Sequence, residues 1–400
     1  MVSFVSYILV ALAVLLAIPV TMFILETVAA LTLPARKTVL HFKSNTRQRV
    51  AVLVPAHNEG AGIRPTLEDV KAQLLTGDRL LVVADNCIDD TAAVAAASGA
   101  ELIERHEPSK TGKDYALDFG LKHLGLDPPA VVIIIDADCR VEEGAIDLLA
   151  KTCAMTNRPV QALDLMTAPD NSPINYCVAE FAWRLKNWVR PLGLHAFNLP
   201  CQLMGTGMAF PWEIVSSINL ASGSIVEDIK LGLDLAQKGS PPVFCPSVSV
   251  TSHFPLSIQG ARSQRERWEG GHISMIFTTV PDFLCRALAR RNLGLFVLAL
   301  DLMIPPLSLL VILLAAMCAL AGLAVLFGFS STALIISATC IMAFVLAIFL
   351  SWLKYGRDIL PPRVILSVIS YVIAKLPIYR RVLSGSVASQ WTRTDRKKDE

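Results

Sequence analysis

Residues Val131 to Asp138 have the sequence VVIIIDAD, in which five β-branched apolar residues are followed by two aspartates one residue apart. A short continuous apolar run of this kind predicts a strand that is buried on both faces. Two carboxylates at the end of such a strand can approach one cation together, and Mg²⁺ and Mn²⁺ prefer hard oxygen ligands. The sequence therefore predicts a divalent metal site at Asp136 and Asp138. The alternative is a strand-end turn with two solvated acids.

Three further short strands are predicted upstream of this run, at Val50 to Val54, Leu80 to Ala84 and Leu102 to Glu104. Helical periodicity fills the gaps, at Arg64 to Leu75, Thr91 to Ala97 and Lys113 to Leu124. Alternation of strands and helices predicts an α/β domain with a mostly parallel sheet and helices on both faces. Ligands of such sheets bind beyond the carboxyl ends of the strands, so the polar residues at those ends are the candidate site.

Polar motifs occur where the predicted strands end. The first strand is followed by Pro55-Ala56-His57-Asn58-Glu59 and the second by the stretch Asp85 to Thr91, while Lys110-Thr111-Gly112-Lys113 precedes the third helix. A glycine with basic side chains at a helix N-terminus suits anion binding. Turn formation or helix capping is the alternative explanation of each motif taken alone. For the lysine motif, an ordinary surface loop is a further alternative.

Two more motifs lie downstream on predicted helices. Glu227 and Asp228 open one helix, and another helix carries Gln264-Arg265-Glu266-Arg267-Trp268. An acid at a helix start often only compensates the helix dipole, and an arginine near a membrane often only contacts lipid headgroups. Taken alone, both motifs favour these structural interpretations.

The composition indicates a membrane protein with a soluble domain. Hydrophobic residues make up 53% of the 400-residue chain and the mean hydropathy is +0.52, which is more apolar than a soluble domain usually is. The formal net charge of +2 argues against nucleic acid as a partner. The nine cysteines form no C-x-x-C pair, which favours a reducing cytosol around the soluble part.

Three apolar segments are long enough to cross a hydrocarbon core of about 30 Å as helices, namely Val5 to Leu25, Leu302 to Phe327 and Ala333 to Trp352. Basic residues follow the first segment at Arg36, Lys37, Lys43, Arg47 and Arg49. By the positive-inside rule they place the following domain in the cytosol. A secretory signal peptide is the alternative for the first segment, although no Lys or Arg precedes it.

A fourth apolar segment, Val364 to Ile378, is shorter than a span and is bracketed by basic residues. An amphipathic helix lying in the membrane interface is therefore favoured over a fourth span.

Together the polar motifs resemble the pattern of glycosyltransferase family 2, in the membrane branch that includes cellulose synthase, hyaluronan synthase and ceramide glucosyltransferase. The matching motifs occur in the family's order and are PAHNE (55–59), D-N-x-x-D-x-T (85–91), G-K-x-x-A-L (112–117), D-x-D (136–138), G-T-G (205–207), E-D (227–228) and Q-x-x-R-W (264–268). Each motif is ambiguous alone. Their ordered occurrence in one α/β domain flanked by apolar segments is specific to this family pattern.

The resemblance implies a GT-A fold and a one-step inverting transfer from a nucleotide-diphosphate sugar, usually a UDP-sugar. It implies that Asp228, with Glu227 beside it, is the catalytic general base, and that Asp136 and Asp138 hold Mg²⁺ or Mn²⁺. The implied donor-binding residues are Pro55, His57, Asn58, Glu59, Asp85, Asn86, Lys113, Asp136, Gln264, Arg265 and Arg267. The implied acceptor-binding residues are Gly205, Thr206, Gly207 and Trp268. Arg265 and Arg267 are alternatives for the contact to the diphosphate.

Four regions are expected along the chain. They are an N-terminal transmembrane anchor (1–35), a cytosolic GT-A catalytic domain with interfacial helices (36–290), a transmembrane hairpin (291–355) and an interfacial helix with a basic cytosolic tail (356–400). The resulting multi-pass protein is expected in a membrane, with a bacterial inner membrane as the first choice.

The expected partners are a nucleotide-sugar donor, a lipid-linked or glycan acceptor and membrane lipids, with no nucleic acid. Relatives that extrude a polymer have more spans, so single transfers are expected. The first choice of acceptor is a sugar on a polyprenyl diphosphate, as in exopolysaccharide or cell-envelope glycan synthesis. A glycolipid synthase acting on ceramide or diacylglycerol and a small processive polysaccharide synthase are alternatives.

Two other classes of protein are considered. A regulatory membrane protein that kept the fold could lose its acids freely, so the intact Asp136, Asp138 and Asp228 argue against it. A nucleotidyltransferase also uses acids and a metal on an α/β sheet, but it does not need the Gln264 to Trp268 motif.

Overall fold

The computed structural model describes residues 2–33, 47–169, 172–221, 226–255, 257–364 and 367–383, which pack as two compact units. The sheet unit comprises residues 47–169, 199–221, 226–255 and 257–260. The helical unit comprises residues 2–33, 172–198, 261–364 and 367–383. Segments 172–198 and 261–290, which were predicted to belong to the catalytic domain, group with the apolar helices.

The sheet has eight strands. In chain order they are β1 (Val50–Ala56), β2 (Arg79–Asp85), β3 (Glu101–Arg105), β4 (Val131–Ile134), β5 (Arg140–Val141), β6 (Val160–Thr167), β7 (Met208–Pro211) and β8 (Val243–His253). Their order across the sheet is β3-β2-β1-β4-β7-β6-β8-β5. Strands β1 to β4 are mutually parallel, as are β6 and β8, while β7 and β5 pair antiparallel with their neighbours. The predicted α/β fold with a mostly parallel sheet is confirmed.

Sixteen helices accompany the sheet within the described ranges. In chain order they are α1 (Val2–Thr32), α2 (Arg64–Lys71), α3 (Thr91–Ala97), α4 (Lys113–Leu124), α5 (Ala145–Thr156), α6 (Ile174–Arg184), α7 (Arg190–Ala196), α8 (Trp212–Val215), α9 (Glu227–Gln237), α10 (Ile258–Thr278), α11 (Val280–Ala289), α12 (Leu293–Leu302), α13 (Leu307–Leu326), α14 (Thr332–Tyr355), α15 (Ser367–Ala374) and α16 (Leu376–Leu383). A π-helical turn, Leu185–Val189, joins α6 to α7, and short 3₁₀ turns lie at Gly60–Ile63 and Pro362–Val364.

Helix α2 is shorter than predicted, ending at Lys71 and not at Leu75. The carboxylate of Asp78 accepts backbone N–H groups from Leu75, at 2.6 Å, and from Val50, at 2.9 Å. These bonds turn the chain away from the helix axis and bring it to the start of β1. Helices α3 and α4 have the predicted bounds.

The core of the sheet unit lies on both faces of the sheet. Along β1, Val50, Val52 and Val54 join the cluster on one face, whereas Ala51 and Leu53 join the cluster on the other. All five are fully buried, and successive strand residues point to opposite faces. This double burial explains why the strands are continuous in apolar residues.

Helix α4 packs closely on the sheet at Gly120. A methyl group added there would lie 2.5 Å from Leu53 Cδ1 and 3.0 Å from Val83 Cγ2, both in the buried core. Since α4 begins at Lys113, this contact with β1 and β2 also sets the position of that lysine.

In the helical unit, three described helices are long and apolar enough to cross a membrane, namely Phe4–Thr32, Leu307–Leu326 and Thr332–Tyr355. They match the three predicted spans. The first continues beyond Leu25, and the second begins after Leu302 because Pro305 and Pro306 separate α12 from α13. The basic residues Arg36, Lys37 and Lys43, on which the predicted orientation partly depends, lie outside the described residues.

A buried group of charges joins three helices of this unit. Arg190 Nε lies 3.0 Å from Glu26 Oε2, and Arg190 Nη2 lies 2.6 Å from Asp301 Oδ1. All three side chains are buried. At Gly193, one turn further along α7, an added methyl group would collide with the backbone of Glu26. An ion pair and a close backbone contact therefore hold α7 against α1.

The predicted interfacial helix at Val364 to Ile378 is replaced by the two short helices α15 and α16. Pro377 lies in the first turn of α16, where its missing N–H costs nothing, but its ring would clash with continuation of the preceding helix. The single continuous helix was therefore a wrong prediction.

These two helices hold α10, whose residues from Ala261 onward belong to the helical unit. Lys375 forms an ion pair with Glu269, and Arg381 Nη2 lies 2.9 Å from Glu266 Oε1. Two ion pairs therefore connect the helix that carries the Q-x-x-R-W motif to residues more than a hundred positions later.

Replacement of Gly120 with leucine is expected to destabilise the sheet unit by about 1–3 kcal/mol, because the added side chain overpacks the contact of α4 with Leu53 and Val83. Urea unfolding of the purified protein measures the change. Gly62→Leu is the matched control, since an added Cβ at Gly62 meets nothing within 4 Å. Equal loss of stability in both variants would contradict this account of the packing.

Candidate active site

An ion pair between Lys113 and Asp136 marks the centre of the candidate site in the sheet unit. Asp136 follows the end of β4, and Lys113 is the first residue of α4. The ammonium group of Lys113 also donates to the carbonyl oxygen of Gly205, at 2.8 Å. Three segments that are distant in sequence therefore meet at one lysine.

The loop before β7 owes its shape to two glycines. Gly205 has φ +94° and Gly207 has φ +65°, both in the left-handed region that favours glycine. A methyl group added at Gly207 would lie 2.9 Å from Ala162 Cβ. The predicted G-T-G motif is thus explained by backbone conformation and close packing.

Side chains fix this loop from both sides. The hydroxyl oxygen of Thr206 accepts the backbone N–H of Asp136 at 3.0 Å. The fully buried Gln161 donates to the carbonyl oxygen of Thr206 at 2.8 Å and accepts the N–H of Met204 at 2.8 Å. Gln161 was missed by the sequence analysis. Its only signal is a polar residue within the otherwise apolar start of β6.

Glu227 and Asp228 begin α9 next to this loop. A methyl group added at Gly205 would lie 3.6 Å from Asp228 Oδ2 and 3.7 Å from Lys113 Nζ. Asp228 and Lys113 therefore flank the same glycine, and the structure brings together the predicted residues Lys113, Asp136 and Asp228.

The charges of these groups influence one another strongly. Burial disfavours the ammonium group of Lys113, but the nearby carboxylates of Asp136, Glu227 and Asp228 outweigh it and raise the pKa of Lys113. Burial and the neighbouring charge of Asp228 raise the pKa of Glu227 to about 8, against the opposing effect of Lys113. The surroundings therefore favour the neutral form of Glu227 and the charged form of Lys113.

A shallow cleft of about 30 Å³ opens beside these groups. Its charged side includes Lys113, Glu227 and Asp228, and its apolar side includes Leu117, Met208 and Leu220. A polar ligand in this cleft would meet both positive and negative side chains.

The loop after β1 is tied to the loop after β2. His57 Nδ1 lies 2.6 Å from the carbonyl oxygen of Asp85, and Asn58 Oδ1 accepts the N–H of Ile88 at 2.7 Å. The backbone N–H of Glu59 donates to Thr91 Oγ1 at 2.8 Å. Pro55, His57, Asn58 and Glu59 thus lie at the same sheet edge as Asp85 and Asn86, as adjacent parallel strands require.

Asp85 forms an ion pair with a basic residue, Arg105, that was not among the predicted site residues. Arg105 Nη1 lies 2.5 Å from Asp85 Oδ1 and donates to the carbonyl oxygen of Lys110 at 2.9 Å. The Arg105 guanidinium also lies 5.5 Å from the ring centroid of Tyr115. The available signal was its position at the carboxyl end of β3. Arg105 connects the predicted donor residue Asp85 with the loop that leads to Lys113.

The carboxylates of Asp136 and Asp138 suit a hard divalent cation. Within the described ranges no group of three His, Cys, Asp or Glu side chains is arranged as a metal site. Such a pair fits Mg²⁺ or Mn²⁺ only when ligand oxygens and water supply the remaining positions, which is how Mg²⁺ is often bound next to phosphates.

The Q-x-x-R-W residues Gln264, Arg265, Arg267 and Trp268 lie in the helical unit. Gln264 is buried, and the ring of Trp268 lies 5.3 Å from the ring of Trp183, centroid to centroid. The guanidinium of Arg265 lies 6.0 Å from the ring of Tyr176 and 5.7 Å from the ring of Tyr371. These contacts favour a structural role for Arg265 within the helical unit.

The raised pKa of Glu227 predicts a pH-dependent stability difference. A carboxyl group whose pKa is raised by folding contributes stability that is fully present below its unfolded pKa and is lost as pH rises to the folded value. Metal-free wild type and Glu227→Gln should therefore unfold at similar urea concentrations near pH 4.5. The variant should become the more stable of the two as pH rises to about 8. A difference that stays constant from pH 5 to 9 would contradict the assignment.

Comparisons with known proteins agree with this geometry. A family model described as glycosyltransferase-like family 2 matches residues 47–271, which is more than half of the chain. A probable glucomannan 4-beta-mannosyltransferase 14 of Arabidopsis thaliana is 31% identical over 175 residues, covering 39% of this chain and 30% of the plant protein. The aligned part is thus less than a third of that protein.

A solved structure is similar over almost the whole chain. It is a mannosyltransferase from Pyrobaculum calidifontis in complex with GDP-Man and Mn²⁺. The similarity covers 94% of this chain and 99% of the other, with a TM-score of 0.57 and 18% sequence identity, which establishes a common fold. On the strength of the family match and the GT-A fold, this chain belongs to glycosyltransferase-like family 2.

Proposed function

We propose that this family 2 glycosyltransferase catalyses an inverting transfer of one sugar from a nucleotide-diphosphate donor to a hydroxyl group of a membrane-proximal acceptor. The observation that carries the proposal is the meeting of Lys113, Asp136 and Asp228 around Gly205. A basic group, a strand-end carboxylate and a second carboxylate at a helix start are the parts that such a transfer needs.

Asp228 is the proposed general base. The acceptor oxygen forms a bond to the anomeric carbon of the donor sugar while the bond from that carbon to the diphosphate oxygen breaks. The acceptor proton passes to the carboxylate of Asp228, and the electron pair leaves with the nucleoside diphosphate. Attack from the face opposite the leaving group inverts the anomeric configuration. The raised pKa of Glu227 disfavours a second negative charge beside Asp228.

Asp136 and Asp138 would hold Mg²⁺ or Mn²⁺. When bound, the cation supplies charge neutralisation for the departing diphosphate. Lys113 would add positive charge for the phosphate oxygens in a charge-assisted contact. The loops of His57 to Glu59 and of Asp85 and Asn86 are proposed to bind the nucleoside.

The proposed donors are UDP-sugars and GDP-mannose. Both similar proteins are mannosyltransferases, and the archaeal one was solved with GDP-Man. The plant relative also supports polysaccharide elongation as a second candidate function, because its name describes a glucomannan synthase.

The acceptor is proposed to be lipid-linked and used at the cytosolic face of a bacterial inner membrane. Three candidate membrane helices lie in the helical unit together with the Q-x-x-R-W helix α10, which supports a membrane location. A sugar on a polyprenyl diphosphate is the first choice and a glycolipid the second. Purified protein in nanodiscs, supplied with Mg²⁺ or Mn²⁺ and a panel of nucleotide sugars, tests the proposal through release of nucleoside diphosphate. Release of pyrophosphate would instead indicate a nucleotidyltransferase.

Asp228→Asn is expected to lower the rate of transfer by about 10²–10⁴-fold, because the amide cannot accept the acceptor proton. Donor affinity, measured by isothermal titration calorimetry with the nucleotide sugar, should remain close to that of wild type. Glu213→Gln, which removes an exposed carboxylate of the same unit, is the control and should be fully active. Turnover by Asp228→Asn at the wild-type rate would refute the assignment of the base.

Gly205→Ala is expected to lower kcat/KM for transfer by about a hundredfold, since a side chain there would enter the space between Asp228 and Lys113. Gly239→Ala separates this effect from backbone strain. Gly239 has φ +90°, close to the +94° of Gly205, but an added Cβ meets nothing within 4 Å. Both variants should unfold at lower temperature, and only Gly205→Ala should lose activity. Similar loss of activity in both would assign the effect to strain.

A further inference from the structure

The two aspartates of the D-x-D motif belong to one tight turn after β4. The backbone N–H of Cys139 donates to the carbonyl oxygen of Asp136 at 3.3 Å, which closes a turn of four residues. Ala137 and Asp138 are its central residues. The two common types of such a turn differ in the orientation of the central peptide group, here the one that joins Ala137 to Asp138. Rotation of that peptide group would therefore redirect the side chain of Asp138.

A hydroxyl group of helix α2 holds this central peptide group. Thr66 Oγ1 donates to the carbonyl oxygen of Ala137 at 2.8 Å, and both residues are buried. Rotation of the peptide group would leave a buried carbonyl oxygen without its partner, which is unfavourable. The bond from Thr66 therefore opposes the rotation. Thr66 was not among the predicted site residues, because its partner lies 71 positions away in the chain.

The position of Thr66 is set by the packing of its helix. Leu67 and Val70 of α2 are fully buried. They belong to the same core cluster as Ala137, on one face of the sheet. Helix α2 is thus a packed support for the turn.

Asp69, one helical turn after Thr66, attaches the same helix to β5. Its carboxylate oxygens accept hydrogen bonds from Arg140 Nε at 2.7 Å and from Arg140 Nη2 at 2.8 Å. They also accept the backbone N–H of Val141 at 3.1 Å. Paired charge-assisted contacts of this kind are among the stronger hydrogen bonds in proteins. Since Arg140 and Val141 directly follow the turn, α2 holds the turn at its centre and at its exit.

We propose that Thr66 is a positioning residue of the metal site and that Asp69 supports it. The proposal rests on the proposed function, in which Asp136 and Asp138 hold Mg²⁺ or Mn²⁺. Thr206 binds the peptide group that precedes Asp136, and Thr66 binds the peptide group that precedes Asp138. Each aspartate thus follows a peptide group that a threonine hydroxyl holds in place. Partners of this kind orient the groups that ligate a metal and tune its affinity.

The test measures how much Mn²⁺ strengthens the binding of a nucleoside diphosphate, which reports on the metal site without turnover. UDP and GDP are titrated into the full-length protein in nanodiscs by isothermal titration calorimetry, with Mn²⁺ and separately with EDTA. The nucleotide that binds wild type more tightly is used for the variants. Thr66→Val keeps the shape of the side chain but loses the hydroxyl group. It should reduce the strengthening by Mn²⁺ about tenfold and leave the affinity in EDTA unchanged.

Two variants separate positioning from a general loss of stability. Thr66→Ser keeps the hydroxyl group and should retain the wild-type strengthening. Thr156 is half-buried, and its hydroxyl donates to the carbonyl oxygen of Thr152 at 2.8 Å, at the end of α5. Thr156→Val therefore loses a similar bond elsewhere in the sheet unit and should bind as wild type does. Wild-type strengthening in Thr66→Val, or an equal reduction in Thr156→Val, would refute the positioning role.

Asp69→Asn gives an independent measurement, which also decides the matter if Thr66→Val does not fold. It should reduce the strengthening by Mn²⁺ about threefold, the effect of weakening one hydrogen-bonded contact. Glu68→Gln is the matched control, because it removes an exposed carboxylate of the same helix whose charge also acts on Arg140. It should have no effect. No reduction in Asp69→Asn, or equal reductions in both variants, would overturn the role of α2.

The wild-type titrations distinguish failure of this inference from failure of the proposed function. Wild type that binds neither UDP nor GDP would overturn the proposed donor, and the positioning role with it. Wild type whose binding Mn²⁺ does not strengthen would overturn the metal site at Asp136 and Asp138 and the role of Thr66, but not the binding of the nucleotide.

Discussion

The ammonium group of Lys113 is the charge on which the site depends. Without it, the carboxylates of Asp136 and Asp228 would have no opposing charge in a partly buried site, where charges interact more strongly than in water. With it, the end of β4 and the start of α9 can approach the same position. The close packing of α4 on the sheet at Gly120 and the hydrogen bond to Gly205 keep that ammonium group in place.

The sequence predicted strands β1 to β4 and the helices α3 and α4, because these depend on local periodicity. It could not predict the contacts between motifs. Gln161 and Arg105 act on Thr206 and Asp85, which lie far away in the chain, and nothing local marks either residue as a partner. Such pairings are known only once the order of the strands is known.

The helical unit shows a similar limit. The length and composition of the apolar segments were sufficient to find the three candidate spans. They did not show that segments 172–198 and 261–290 pack with those helices, since this depends on contacts such as the buried pair of Arg190 and Glu26. The break between α15 and α16 follows from a single proline inside an otherwise helical pattern.

Two ion pairs connect α10 to Lys375, between α15 and α16, and to Arg381 of α16, and they bear on the synthesis of the protein. Glu266 and Glu269 are made long before Arg381 and Lys375, so the ribosome must translate most of the chain before α10 acquires its final neighbours. The parallel strands β1 to β4, by contrast, are all complete by Ile134 and can assemble early. In a nascent chain, the four parallel strands are therefore complete well before the helix with the Q-x-x-R-W motif can form its two ion pairs. Prematurely terminated chains that end before Lys375 would be folded in part yet lack the contacts that order this helix.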